Sequence, residues 1–248
     1  VTNALTLYVL HVRSAVVQLL RIPAFAIPTL LSPLMIYSFF GLPFSKSEIA
    51  ARFLIASYAA FAVIGVALFQ FGVGIAAERT SSWEIYMRTL AVPVAVRFLA
   101  RITSALLFAT ASAGAVCVLG VLAAHVRMPA GSWLHLGLTL LVGSVVFALI
   151  GITIGYWSDS RAALPVANLV YMPLVFIGGL WLPPQMLPSA VAWLSPFTPT
   201  RQYGELVWAS VAGKPLPGVA FAVLAAYALV FAVAAAWGYR RDEGLRFS

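Results

Sequence analysis

The side chains best suited to chemistry are few in this chain and widely scattered. His11, His125 and His135 fall in different segments, and the single cysteine, Cys117, lies inside an apolar run. There is no HExxH, no GxSxG and no cluster of carboxylates with histidine, so a zinc hydrolase and a serine hydrolase both lack their parts. His125 and His135 share one boundary region, where lone histidines are more often boundary residues than ligands. One cysteine excludes an internal disulfide and a multi-cysteine metal site, and is expected to pack as a small hydrophobe. The chain also has no GxxxxGK[ST], so it holds no nucleotide through a P-loop of its own. The expectation is no catalytic residue, no metal and no cofactor in this chain; it is not an enzyme by itself.

What remains is one dense polar stretch. It runs Glu78, Arg79, Thr80, Ser81, Ser82, Trp83, Glu84, Ile85, Tyr86, Met87, Arg88, and on through Leu90 and Ala91 to Val92 and Pro93. It opens with an acid–base pair in a turn, and its residues up to Leu90 predict a short helix capped by Thr80, Ser81 or Ser82. Two roles fit. It is either an amphipathic loop held at headgroup level by Arg79, Trp83 and Arg88, or a lever that docks into a partner and moves the helices around it.

The elements that must position this stretch are apolar. Of 248 residues, 62% are hydrophobic and 9% charged, with a mean hydropathy of +1.00. A soluble domain of this length needs a far more polar shell. Six stretches are about long enough to cross a bilayer: 23–42, 53–77, 102–124, 133–157, 162–179 and 219–239. The fold class is therefore an all-α membrane protein, a single domain over 1–248. It has six transmembrane helices, an N-terminal interfacial helix over 1–21, a polar stretch on the cytoplasmic side over 78–92 and a Pro-rich re-entrant segment over 180–218. The first residues do not resemble a cleaved signal peptide, because His11, Arg13 and Arg21 interrupt the apolar positions. Leu5, Val9, Val12 and Val16 instead line one side of a helix, with His11, Arg13 and Gln18 facing elsewhere.

Lys46, Glu48 and Arg52 are expected in a polar loop. Gly151 and Gly155 form a GxxxG pair suited to close helix packing. Gln70, Thr153 and Asn168 are the notable polar residues at mid-span. Between 180 and 218, prolines alternate with aromatics, and the runs between them are too short to span. Trp181 and Trp193 suit an outer headgroup belt, and Pro183, Pro188, Pro196 and Pro199 suit short re-entrant helices.

The net charge of +8 sits in isolated residues between apolar runs and forms no stripe, which excludes nucleic acid as a partner and favours anchoring in the bilayer. With both termini inside, ten basic residues face the cytoplasm (13, 21, 79, 88, 97, 101, 161, 240, 241 and 246) against five outside (46, 52, 127, 201 and 214). Both termini are expected to be cytoplasmic. Thirteen of the 15 basic residues are arginine, which with abundant Ala, Gly and Val suggests a bacterial inner membrane.

The chain resembles the permease subunit of the type-2 ABC exporter family over essentially its whole length. The resemblance rests on the amphipathic N-terminal helix, the six spans, and Glu78–Arg79 leading to Leu90, Ala91, Val92 and Pro93. It rests also on Pro173, Gly178–Gly179–Leu180–Trp181–Leu182–Pro183, Leu187–Pro188, Trp193 through Pro199, and Gln202–Tyr203. The family commonly has Gly-Thr after its charged pair, where Thr80–Ser81–Ser82 stands here. The short loop after the third span leaves no room for the large periplasmic domain of macrolide exporters. The resemblance implies a second permease chain, identical or related, and two copies of an ATP-binding ABC subunit that holds ATP and Mg. It implies coupling through Glu78, Arg79, Trp83, Glu84 and Arg88 to those subunits, and an outer gate around Trp181, Pro183, Pro188, Trp193, Pro196 and Pro199. The cargo expected is lipophilic or amphipathic, drug- or antibiotic-like. A lipid or polysaccharide exporter of the same architecture, or a proton-coupled secondary transporter, is the alternative.

Overall fold

A computed structural model describes residues 4–21, 23–79, 81 and 94–244. Thr80 and residues 82–93, with Trp83, Glu84 and Arg88, lie outside the described residues. Every regular element described is helical. In chain order these are α1 (Ala4–Arg21), α2 (Pro23–Ile36), α3 (Glu48–Leu68), α4 (Gly74–Arg79), α5 (Val94–Ala123), α6 (Ala130–Trp157), α7 (Ala163–Ile177), α8 (Ser189–Ala192), α9 (Pro199–Ala212) and α10 (Gly218–Gly244). A π turn, Tyr37–Gly41, prolongs α2, and another, Phe69–Val73, joins α3 to α4 without a break.

Four of the described helices are long and apolar enough to cross a membrane: Glu48–Arg79, Phe98–Ala123, Ala130–Trp157 and Gly218–Asp242. Thr29–Phe44 and Ala163–Ile177 are shorter apolar helices. The protein is a multi-pass, all-α membrane protein. At about 1.5 Å per residue, the continuous run of 32 residues reaches well past the hydrocarbon core at one end or both.

That run is the centre of the molecule. Ala56, Ala59, Ala60, Ala62 and Ala67 are buried on it, and α2, α5, α6, α7 and α9 all pack against it. Small side chains let neighbouring backbones approach closely, which is the main packing force between helices in lipid. The outermost helix, Gly218–Asp242, is only 17% buried over its most apolar window, against 83% for the central run.

Three boundaries differ from expectation for identifiable reasons. Glu48 and Arg52 are in α3 and not in a loop. Ser47 caps that helix by accepting from the Ala50 amide at 3.2 Å, and Glu48 pairs with Arg52 one turn on. Helix α5 is described from Val94 onward, which makes Arg97 and Arg101 helical; α10 continues past Tyr239, which makes Arg240, Arg241 and Asp242 helical. In each case polar residues continue the helix beyond the apolar run, and hydropathy alone could not find its end. His125 has a left-handed φ of 52° in the turn between α5 and α6, a conformation in which His is enriched.

Candidate functional site

Helix α4 ends on Glu78 and Arg79, and there four helices meet. The two residues do not pair with each other as the sequence suggests; they reach in different directions. Arg79 Nη2 lies 2.6 Å from Asp242 Oδ1, and its Nε donates to the same oxygen at 2.9 Å. Its Nη1 donates to the carbonyl oxygens of Gly155 at 2.7 Å and Tyr156 at 2.9 Å. The guanidinium also lies over the Tyr156 ring, 5.6 Å from its centre. Glu78 Oε1 lies 2.6 Å from Arg101 Nη2. One turn of chain thus ties α4 to α5 on one side and to the ends of α6 and α10 on the other.

The Arg79 contacts have a clear physical cause. The last carbonyls of a helix lack intrahelical donors, and the negative end of the helix dipole favours a cation there. Arg79 supplies both to α6, and Asp242 balances the charge. Asp242 is 8% exposed and Arg79 22% in their side chains, so removing one partner strands a charge with little water around it, which is strongly destabilising. The pair of Glu78 (49% exposed) with Arg101 is wetter and is worth at most about 1 kcal/mol.

Just above this junction α6 presses backbone to backbone against the π turn. A Cβ at Gly151 would stand 2.8 Å from the Ala67 carbonyl oxygen, and one at Gly155 would stand 2.8 Å from that of Phe71. Within the π turn Gln70 is 4% exposed. Its Nε2 donates to Ser104 Oγ at 3.3 Å, while Oε1 is buried with no partner among the described residues. Such π turns recur at functional positions in helices. Thr153 bonds its own helix at the Leu149 carbonyl and reaches the Phe231 carbonyl on α10 at 3.3 Å. Asn168 is half-buried, and its Nδ2 donates to the Leu164 carbonyl.

The 181–208 segment packs on the opposite half of α3. Tyr58 Oη donates to the Trp181 carbonyl at 3.3 Å, the Trp181 ring lies 5.9 Å from that of Phe61, and Trp208 Nε1 donates to Ser57 Oγ at 2.7 Å. The expected gate residues fall in separate short elements. Trp181 faces inward, its Nε1–H buried without a partner among the described residues, whereas Trp193 is 67% exposed. The two tryptophans therefore do not share one environment. Pro183 precedes a 3-10 turn, Pro188 precedes α8, Pro196 lies in a second 3-10 turn, and Pro199 opens α9 after the capping residue Thr198. Arg201 and Glu205 pair at 2.8 Å, with Arg201 also over the Trp208 ring.

Asp242 and Arg101 are the members of the junction that sequence reasoning missed as partners. The available signal was Asp242 itself, an acid placed directly after Arg240 and Arg241. Asp159 accepts from the amides of Arg161 and Ala162 in an exposed turn and takes no part in the junction.

Comparison with known proteins agrees with this architecture. Residues 6–211 match the family model described as ABC-2 type transporter. The chain belongs to that family of membrane permeases, whose members are non-catalytic transport subunits. It is also similar to YvfS of Bacillus subtilis (strain 168), named as a transport permease, at 23% identity over 234 residues covering 92% of this chain and 95% of the other.

Proposed function

We propose that this chain is the membrane-spanning subunit of an ATP-driven exporter, moving a lipophilic or amphipathic compound out of the cell. It works beside a second permease chain and two ATP-binding subunits, which carry the nucleotide and magnesium. The short apolar helices Thr29–Phe44 and Ala163–Ile177 serve as the first and fifth of six spans. The 180–218 segment covers the outer end, and both termini face the cytoplasm of a bacterial cell. Drug- or antibiotic-like cargo is favoured by the apolar character of the spans.

The observation that carries this reading is the Arg79 junction. A push on the 78–92 region by a closing ATPase is delivered at once to the cytoplasmic ends of α5, α6 and α10. Glu78 and Arg79 are the coupling residues within the described part, and Trp83, Glu84 and Arg88 complete the contact. Gly151 and Gly155 keep α6 tight against the central helix, so the two move together.

The test is purification of the complex and reconstitution in vesicles. The chain should co-purify with a protein bearing a Walker motif, and ATP should drive efflux of a lipophilic dye. Arg79→Ala should retain ATP hydrolysis while losing most of the efflux. Full transport by this chain alone without ATP, or undiminished efflux by the variant, would overturn the reading. Tags at residues 1 and 248 should both label from the cytoplasmic side.

A further inference from the structure

A groove of about 340 Å³ runs between α1 and α5. Val9, Val12 and Val16 wall it on one side and Leu107 on the other, with Tyr8 Oη and Thr103 Oγ1 hydrogen-bonded across it at 2.6 Å. Arg13 also lines it and is the one charged residue to do so among the described residues. The sequence places Arg13 away from the apolar side of α1. In the fold it borders that side, four residues after Val9 and three before Val16, and the packing of α5 against α1 makes it part of the groove wall.

Two features name an occupant. The walls are apolar yet open to the surroundings, with Val9 55% and Leu107 50% exposed, so in a bilayer they meet acyl chains. Arg13 is exposed and has no acidic partner among the described residues. From Thr103 to Leu107, α5 leads away from its charged first turns into the apolar span. We propose that this groove binds an anionic phospholipid, with its phosphate on Arg13 and one acyl chain between Val16 and Leu107. Charge complementarity selects the headgroup, and the apolar walls select a lipid over a soluble phosphate.

The membrane placement alone is needed for this binding; only the leaflet depends on the orientation proposed above. Reversed tag labelling would overturn that orientation and move the site to the other leaflet without touching the binding result. The experiment is native mass spectrometry of the intact complex after exchange with vesicles of phosphatidylglycerol or phosphatidylcholine. The expected result is roughly fivefold more retained phosphatidylglycerol, the factor that about 1 kcal/mol per basic residue near a membrane surface represents. Arg13→Gln should abolish the preference, and the groove-filling Val16→Trp should lower retention of both lipids. Arg21→Gln, on the same helix but outside the groove, should change neither. Equal retention of the two lipids overturns the site. So does a loss in Arg21→Gln as large as in Arg13→Gln, which would mark diffuse surface attraction. Displacement of the lipid by glycerol 3-phosphate would overturn it in favour of a soluble phosphate.

Discussion

The two ends of the central helix are held by different physics. At the Arg79 end, charges bind charges and helix-end carbonyls: Arg79 to Asp242, Gly155 and Tyr156, and Glu78 to Arg101. At the Trp181 end, neutral groups bond neutral oxygens: Trp208 to Ser57 and Tyr58 to the Trp181 carbonyl. Charged contacts can be exchanged for those of a competing partner, and the exposed ones among them are weakened by salt. Neutral bonds inside a packed core have no such competitor. The contrast suits a molecule in which one end is moved and the other resists movement.

The largest expected effect falls between the two ends. Gly151→Leu pushes a side chain into the Ala67 carbonyl, which is backbone and cannot swing aside. The expected cost is about 3 kcal/mol, the upper part of the usual range for overpacking, read as a lowered Tm and reduced yield of folded protein. Little change would mean that α6 and the π turn can separate freely.

Next comes Asp242→Ala, expected to destabilise by about 2 kcal/mol, below the usual figure for a broken buried pair because Arg79 keeps its carbonyl partners. A double-mutant cycle with Arg79→Ala should show clear coupling. Raising salt from about 0.1 M to about 1 M, where the screening length falls from about 10 Å to about 3 Å, should leave much of that coupling intact. The same change should erase the weaker coupling between Glu78 and Arg101, since Glu78 is half exposed.

Trp208→Phe is expected to cost about 1 kcal/mol, because hydrogen bonds between membrane helices are individually modest. Its cost should not respond to salt, and a strong response would remove the proposed contrast between the ends. The smallest effect is Glu205→Gln, at about 0.5 kcal/mol or less for an i,i+4 pair, measurable as a change in Tm close to zero.

Much of this was legible from local pattern. The long apolar runs mark the four clear membrane helices, and two glycines four apart mark the close face of α6. Pro199 after Thr198 marks the start of α9. Helix limits were less legible where polar residues continue the helix, as at Glu48, Arg101 and Asp242. The roles of Trp181 and Trp193 were not legible at all. They are the same residue type in the same Pro-rich stretch, yet one packs against Phe61 and the other is largely exposed.

By itself the sequence determined a helical membrane protein, because hydropathy and helical period are properties of neighbouring residues. The partner of Arg79 lies 163 positions away, and no local period encodes that distance. Only the packing of α4, α6 and α10 decides that this arginine meets a buried carboxylate and the end of a helix. The same holds for Arg13, whose surroundings exist only because α5 comes to lie against α1.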